Sequence, residues 1–258
     1  MIATAGSKGR AWAAAAALTL LAGCAATGGT DHKNRVIAAA VGSTIQLFNE
    51  REGGGRRAGS AVVLSHDEES GRSIVLTAAH LVEPPVPQSV YALAPDTGER
   101  IPADLIAVDT ATDLALLSAT GLDARPVRLS RSAWLGDSIW VVAFPWGRER
   151  TVVTGVVSQI DAAATGGDRN SIEGAVRLID ASVSYGMSGG GVFDSRTGAL
   201  VGVVRGYRTA QLSFGDSGFE PLQLPVAGET TVIPTADIVC FLQSESIQLP
   251  GTPPLAAC

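Results

Sequence analysis

Histidine, cysteine and aromatic residues are scarce in this sequence, and each shortage narrows the chemistry open to it. The 258 residues include 3 histidines and 3 cysteines. No cysteine–histidine spacing is typical of a zinc site, so we expect no metal and no other cofactor. Aromatic residues make up 5% against 30 glycines and 13 prolines, which favours short strands and many turns over long helices. The net charge is −6 and Arg56-Arg57 is the only basic cluster, which argues against a nucleic-acid partner.

The N-terminal residues have the composition of an export signal. Lys8 and Arg10 precede an apolar run over residues 11–20, which is too short to span a bilayer comfortably. The following Leu21-Ala22-Gly23-Cys24 resembles the bacterial lipobox, and this resemblance implies cleavage before Cys24 and lipidation of that cysteine. We therefore predict a lipoprotein signal peptide over residues 1–23. A plain signal peptide with an unmodified cysteine is the alternative.

The residues after the predicted cleavage site indicate a tether. Residues 24–35 are small and polar, as expected of a short link between a membrane anchor and a folded domain. Ala25 stands where an aspartate would favour the inner membrane, so we expect an outer-membrane or periplasmic address in a bacterial envelope. With lipid on Cys24, two cysteines remain. Cys240 and Cys258 can form a disulfide in an exported protein, or Cys240 can be a buried free thiol.

The densest functional signal is the run Tyr185-Gly186-Met187-Ser188-Gly189-Gly190-Gly191, which precedes an apolar segment over residues 199–204. Glycine allows backbone conformations in which successive N–H groups turn toward one point. Two such groups beside a serine hydroxyl form an oxyanion hole, which stabilises the charge of a tetrahedral acyl intermediate. A glycine-rich hairpin turn is the structural alternative.

A base and an orienting acid are present elsewhere in the chain. Thr77-Ala78-Ala79-His80 closes an apolar run, and Asp113 opens another in Thr112-Asp113-Leu114-Ala115-Leu116-Leu117. The order is His, Asp, Ser, with separations of 113 − 80 = 33 and 188 − 113 = 75 residues. These three motifs in this order resemble the chymotrypsin-fold serine proteases, and most closely the bacterial HtrA/Deg-like peptidases.

The resemblance covers roughly Val36 to Leu242 and implies an all-β fold. This fold has two antiparallel six-stranded β-barrels and a short C-terminal helix. We expect the barrels over residues 36–130 and 131–245, followed by a flexible tail over 246–258. The chain leaves no room for the PDZ domain that many HtrA-like proteins carry. Strand density without alternating long helices supports the same fold class.

Individual strands and one helix are predicted from apolar runs and turn residues. The first strand is expected over Val36 to Phe48, and the closing helix over Thr235 to Leu242 with Thr235 as its N-cap. A strand that contains the apolar run 73–76 is expected to deliver His80. The other expected strands cover residues 59–65, 90–93, 104–108, 114–118, 138–144, 151–159, 175–180, 190–193, 200–205 and 220–225.

The family assigns a role to each site residue by resemblance. Ser188 attacks the carbonyl, His80 is the general base and then the general acid, and Asp113 orients the histidine. The N–H groups of Gly186 and Ser188 form the oxyanion hole. Met187 departs from the aspartate or asparagine of the family, which leaves the activation mechanism of the trypsin-like branch in doubt.

The primary specificity pocket is placed by the same resemblance. Ser182 lies at its base, and Arg205, Gly206 and Tyr207 form its wall. The uncharged Ser182 disfavours a strict preference for lysine or arginine, and we expect a small or medium apolar side chain. Arg205 favours acidic substrate residues, or is a solvated charge at a strand end.

Several residues compete with the predicted triad. Asp109 is the nearest rival to Asp113, but a turn residue is the commoner role at such a position. His32 lies in the tether and His66 in a charged turn, so neither is held by a strand. Gly215-Asp216-Ser217-Gly218 repeats a trypsin-type tetrapeptide. We reject Ser217 because a phenylalanine replaces the second glycine and too little chain follows for the remaining strands.

The sequence thus predicts a lipid-anchored serine endopeptidase that acts on exported polypeptides. One alternative is a catalytically silent, protease-like binding module, and another is a surface esterase that uses the same triad. The expected partners are polypeptide substrates and the membrane. The oligomeric state is open, with a trimer as one possibility from the family.

Overall fold

The structure is a computed structural model, and it describes residues 30–83, 88–95, 97–212 and 222–249. Residues 30–42 are helical, so the strand expected from Val36 is wrong in its first part. Val36 and Ala40 are buried whereas Ala38 and Ala39 are exposed. A spacing of four places two side chains on one face of a helix, and alanine has the highest helix propensity. This helix (α1) packs that face against the barrels.

Six antiparallel strands form the first barrel. They close in the order β1-β2-β3-β6-β5-β4. Their bounds are β1 Thr44–Arg51, β2 Arg56–Asp67, β3 Arg72–Ala78, β4 Gln88–Leu93, β5 Arg100–Asp109 and β6 Leu114–Thr120. Small and branched side chains fill the barrel, among them Leu47, Val63 and Val75. Such residues suit a pleated surface that is buried on one side.

The second barrel contains seven strands, of which six close the ring. The sheet order is β13-β12-β11-β8-β9-β10-β7, and a pairing between β13 and β10 closes it. The bounds are β7 Ala133–Trp134, β8 Ser138–Ala143, β9 Thr151–Asp161, β10 Glu173–Asp180, β11 Gly191–Asp194, β12 Leu200–Leu212 and β13 Leu222–Pro234. The predicted fold of two six-stranded antiparallel barrels is therefore confirmed.

The two barrels share a buried core where they meet. Side chains from the first barrel, such as Leu76 and Leu114, pack in one cluster with Phe193 and Val203 from the second. The C-terminal helix α2, Thr235–Ser244, adds Ile238, Phe241 and Leu242 to this cluster. The helix predicted over Thr235 to Leu242 is confirmed, although its N-cap is Pro234 rather than Thr235. The Thr235 hydroxyl instead donates to the carbonyl of Ser130.

Cys240 lies in α2 and is disulfide-bonded, which removes the free-thiol alternative. Cys24, Cys258, the predicted signal peptide and the alternative nucleophile Ser217 lie outside the described residues. Within the ranges described, no helix is both long and apolar enough to cross a membrane.

Candidate active site

His80 and Asp113 are neighbours because the strands that carry them are paired. β3 ends at Ala78, which lies opposite Leu114, the first residue of β6. His80 follows β3 in a single 3₁₀ turn, Ala79–Leu81, and Asp113 immediately precedes β6. Antiparallel pairing therefore brings the end of one apolar run beside the start of another, and the two polar residues meet at one end of the first barrel.

Four hydrogen-bonding contacts join the histidine segment to the aspartate. His80 Nδ1 lies 3.0 Å and 3.1 Å from the two carboxylate oxygens of Asp113. The backbone N–H of His80 donates to Asp113 Oδ1 at 3.0 Å, and that of Ala79 donates to the Asp113 carbonyl at 3.0 Å. An ionised carboxylate only accepts hydrogen bonds, so Nδ1 carries a proton, and in the neutral imidazole Nε2 is the acceptor.

Asp113 is held in an uncommon backbone conformation and a charged environment. Its φ of 65° is one of few positive values among the described residues other than glycine. Burial raises the pKa of Asp113, but hydrogen bonds from His80 and the charges of His80 and Arg205 together bring that pKa below its ordinary value. The carboxylate is therefore stabilised in the ionised form that orients a histidine.

Ser188 lies in the loop over residues 181–190, between β10 and β11. Two glycines shape this loop. Gly186 and Gly189 have φ values of 86° and 80°, in the left-handed region that favours glycine. A Cβ atom on Gly189 would lie 2.1 Å from the carbonyl oxygen of Ser60, and one on Gly186 would lie 2.8 Å from Trp146 N. Both the conformation and the space therefore require glycine.

Arg205 contacts both the serine and the aspartate. Ser188 Oγ donates to the Arg205 carbonyl at 3.2 Å, and Arg205 Nε lies 3.4 Å from Asp113 Oδ2. A single residue of the second barrel therefore joins Ser188 to the His80–Asp113 pair of the first. Among the described residues, Ser188 Oγ makes its hydrogen bond with this carbonyl and not with His80.

The predicted oxyanion donors are available. Within the described part of the chain, the N–H groups of Gly186 and Ser188 donate no hydrogen bond to the protein, whereas those of Met187, Gly189 and Gly190 each do. Two unpaired N–H groups that flank one residue match the requirement of an oxyanion hole. The prediction that these two groups serve as donors is consistent with this pattern.

Three residues that sequence reasoning gave no role hold the Ser188 loop in place. Ser60 donates from its hydroxyl to the Gly186 carbonyl and from its N–H to the Ser188 carbonyl. The side chain of Met187 is 2% exposed, packs in the second-barrel core and accepts a hydrogen bond at Sδ from the Ser184 N–H. Trp146, with φ 57°, donates its N–H to the Tyr185 carbonyl. Apart from the departure at Met187, no local pattern signals these contacts.

The predicted specificity residues are only partly brought together. Arg205 directs its guanidinium at Asp113, although its side chain is 52% exposed. A Cβ atom on Gly206 would meet no atom within 4 Å, so open space lies in front of that residue. Ser182 is exposed and Tyr207 is 40% exposed. The assignment of a pocket to these residues stays a prediction.

The competing residues have other partners. Asp109 accepts hydrogen bonds from the Ala111 N–H and the Thr112 hydroxyl, as a turn residue does. His66 lies in β2, opposite Ser73 of β3, and not in the expected turn; it bonds through Nδ1 to Ser73 Oγ at 2.9 Å. His32 contacts the Arg196 carbonyl at 3.0 Å.

Two closed six-stranded barrels, with a histidine–aspartate pair on one and a glycine-rich serine loop on the other, define a chymotrypsin-like fold. A family model described as the trypsin-like peptidase domain matches residues 59–203, which is more than half of the chain. The chain belongs to this family.

Similar proteins include named proteases. The serine endoprotease DegS of Haemophilus influenzae is 34% identical over 150 residues, which cover 56% of this chain and 40% of DegS. Protease Do-like 2, a chloroplastic protein of Arabidopsis thaliana, is 33% identical over 138 residues, covering 52% of this chain and 22% of the relative. The chain thus spans less than half the length of these relatives.

A solved structure supports the same fold. The serine endoprotease from Yersinia pestis superposes with a TM-score of 0.61 at 22% identity, over 83% of this chain and 66% of that one.

Proposed function

We propose that this chain is a serine endopeptidase in which Ser188, His80 and Asp113 form the catalytic triad. One observation carries the proposal: Arg205 contacts both Ser188 and Asp113, so the serine loop of the second barrel meets the hydrogen-bonded histidine–aspartate pair of the first at one residue. Membership of the trypsin-like peptidase family supports the same reading. The activities of the named relatives support it further, and they belong to proteins longer than this chain.

In the proposed reaction, Ser188 Oγ attacks the scissile carbonyl and His80 Nε2 takes its proton. Asp113 holds Nδ1–H and stabilises the imidazolium, which then protonates the leaving amine. The N–H groups of Gly186 and Ser188 receive the developing oxyanion. Attack requires Ser188 Oγ to turn from the Arg205 carbonyl toward His80. Catalytic hydrogen bonds commonly tighten in this way only when substrate binds.

We infer that the substrates are exported polypeptides and that the enzyme is lipid-anchored in a bacterial envelope. The lipobox-like Leu21-Ala22-Gly23-Cys24 supports the anchor, and the disulfide at Cys240 fits an oxidising compartment. Lipid on Cys24 leaves Cys258 as the one other cysteine of this chain that can pair with Cys240.

The proposal is tested by hydrolysis of casein and of fluorogenic peptides by the full-length chain purified in detergent. Loss of a nucleophilic serine from a complete triad lowers turnover by about 10⁶. Ser188→Ala should therefore abolish activity, while Ser217→Ala should retain it. Activity lost in Ser217→Ala and kept in Ser188→Ala would overturn the site assignment.

The hydrogen bond from Ser188 to Arg205 favours one second candidate, a protease-like binding module without catalysis, because the hydroxyl is bonded to a backbone carbonyl rather than to its base. A fluorophosphonate probe separates the two functions. Labelling of the wild type at Ser188 supports the peptidase, and complete absence of labelling in the folded protein supports the binding module. A panel of peptide and ester substrates then separates a peptidase from an esterase.

A further inference from the structure

Ser60 is a fully buried residue of β2, in the first barrel. Its N–H and its hydroxyl form hydrogen bonds with residues of the second barrel. Its N–H donates to the Ser188 carbonyl at 2.9 Å, and its hydroxyl donates to the Gly186 carbonyl at 2.8 Å. The same hydroxyl accepts the Phe144 N–H at 2.8 Å. Thr77 Oγ1 donates to the Ser60 carbonyl at 2.7 Å, which holds Ser60 itself in place.

The carbonyl partners of the Ser188 loop fix the directions of its N–H groups. In a trans peptide unit the C=O and N–H bonds point in opposite directions, so a held carbonyl also orients the N–H of the next residue. The Tyr185 carbonyl accepts the Trp146 N–H at 2.6 Å, which orients the Gly186 N–H. The Met187 carbonyl accepts the Gly190 N–H at 3.0 Å, which orients the Ser188 N–H.

The peptide unit between these two is held on both sides: its carbonyl accepts the Ser60 hydroxyl, and its N–H, that of Met187, donates to the Ser184 carbonyl at 3.1 Å. The unit joins Gly186 to Met187, and Gly186 has the conformational freedom of glycine at φ 86°. A turn of this unit changes ψ of Gly186 and φ of Met187, the torsions that join it to the two flanking units, so the alignment of the two proposed oxyanion donors depends on the unit being held. Among the described residues, the Ser60 hydroxyl is the one side chain bonded to its carbonyl.

We propose that Ser60 is a positioning residue for the oxyanion hole. It acts through the hydrogen-bond chain from the Phe144 N–H to Ser60 Oγ, and from the Ser60 hydroxyl to the Gly186 carbonyl. This inference rests on the function proposed above. A hydroxyl is suited to the position because it accepts and donates at once within the volume of a small side chain.

Removal of the hydroxyl leaves two buried backbone groups without a partner. Phe144 and Gly186 are both buried residues, so the freed Phe144 N–H and Gly186 carbonyl lie away from bulk solvent. Unpaired buried groups are costly, which favours any turn of the peptide that finds a new partner. The transition state, which needs both N–H groups aligned, should therefore suffer more than substrate binding.

The test compares Ser60→Ala with Ser73→Ala in the full-length chain. Ser73 is a matched control because it is also fully buried in the first barrel and also donates to a carbonyl, that of Leu122 at 3.1 Å. Within the described ranges, its hydroxyl bonds to the Leu122 carbonyl and to His66, and to no residue of the Ser188 loop. Thermal unfolding, peptide hydrolysis and the rate of fluorophosphonate labelling are measured for both variants and for the wild type.

Loss of a single oxyanion donor lowers kcat by 10²–10³-fold, so misalignment should lower kcat and the labelling rate of Ser60→Ala by about 10- to 100-fold. KM should change by less than about twofold, because ground-state binding does not use the hole. Ser73→Ala should lose stability and keep its kcat. Ser60→Cys, which retains a weak donor in a similar volume, should lie between wild type and Ser60→Ala, and it replaces the alanine variant if that variant does not fold.

Two results would overturn the inference: a kcat of Ser60→Ala equal to that of wild type, or equal losses in the Ser60 and Ser73 variants. The second result would mean that Ser60 contributes only stability. A wild-type protein that neither labels nor hydrolyses any substrate would instead overturn the proposed function, so the two failures are distinguishable.

Discussion

Replacement of Arg205 by glutamine tests the charge that the structure places beside the proposed catalytic aspartate. Arg205 Nε lies 3.4 Å from Asp113 Oδ2, and the two side chains are 52% and 12% exposed. Two unit charges at this separation attract by about 5 kcal/mol at an effective dielectric constant of 20 and by about 1 kcal/mol in water. Exposed pairs yield about 0–1 kcal/mol after screening and side-chain ordering.

Because the aspartate is buried and the arginine is half-exposed, we expect Arg205→Gln to lower the free energy of unfolding by about 1 kcal/mol at pH 7. This loss should depend on pH with a definite sign. The pKa of Asp113 is raised by burial but brought below its ordinary value by His80 and Arg205. A carboxyl with a lowered folded pKa adds stability above its unfolded pKa, near about 3.9, and loses it as the pH falls through the folded value.

The assay is urea unfolding of wild type and Arg205→Gln, at pH 7 and at successively lower pH. The difference between the two proteins should shrink below about pH 4, and 1 M salt should reduce it at pH 7. Arg208→Gln is a matched control, because it removes a more exposed ion pair, in which Arg208 and Glu229 lie 3.3 Å apart. Its effect should be below about 0.5 kcal/mol. A loss for Arg205→Gln that is independent of both pH and salt would refute the electrostatic reasoning and indicate packing instead.

Three further predictions concern the Ser188 loop and the disulfide. Met187→Ala should lower the free energy of unfolding by about 2–5 kcal/mol, and the nearly isosteric Met187→Leu by less than about 1.5 kcal/mol. Equal losses in urea unfolding would contradict an anchor that acts by packing. Trp146→Ala should be less stable than Trp146→Gly by about 1 kcal/mol, because only glycine adopts φ 57° without strain. Equal stabilities in denaturant would argue against that strain. In the lipidated protein, Cys258→Ser should expose a reactive thiol at Cys240, detectable by alkylation and mass spectrometry, and an unreactive Cys240 would contradict this pairing.

The elements beside the site were predictable because their signals are local. An apolar run that ends at Ala78 and another that begins at Leu114 indicate two strands, and His80 and Asp113 are polar residues at their ends. The loop between β10 and β11 was likewise marked by its glycines. The predicted boundary of an element is wrong where the sequence pattern fits both a strand and a helix. The apolar segment before Thr44 predicts a strand, although buried Val36 and Ala40 have helical spacing.

The predicted end of one strand is wrong for a different reason. β12 continues to Leu212, beyond the predicted end at Arg205, although its residues from Arg205 onward are mostly exposed. The sequence of this extension shows no regular alternation of apolar and polar residues that would predict a half-buried strand. It is a strand because β13 pairs with it, from Thr209 opposite Pro225 to Leu212 opposite Leu222. Pairing with a distant segment is a tertiary property that a local pattern does not carry.

The same distinction applies to the chemistry of the site. Each half of the proposed triad is encoded locally, but the separation between the halves depends on the core that joins the barrels. Leu114, next to Asp113, and Val203, two residues before Arg205, pack in this core with Phe193. A motif therefore specifies which groups are available, while the packing of this interface sets how far Ser188 lies from the histidine–aspartate pair. We therefore expect the choice between a peptidase and a silent binding module to depend on the barrel interface and on the residues, such as Ser60, that cross it.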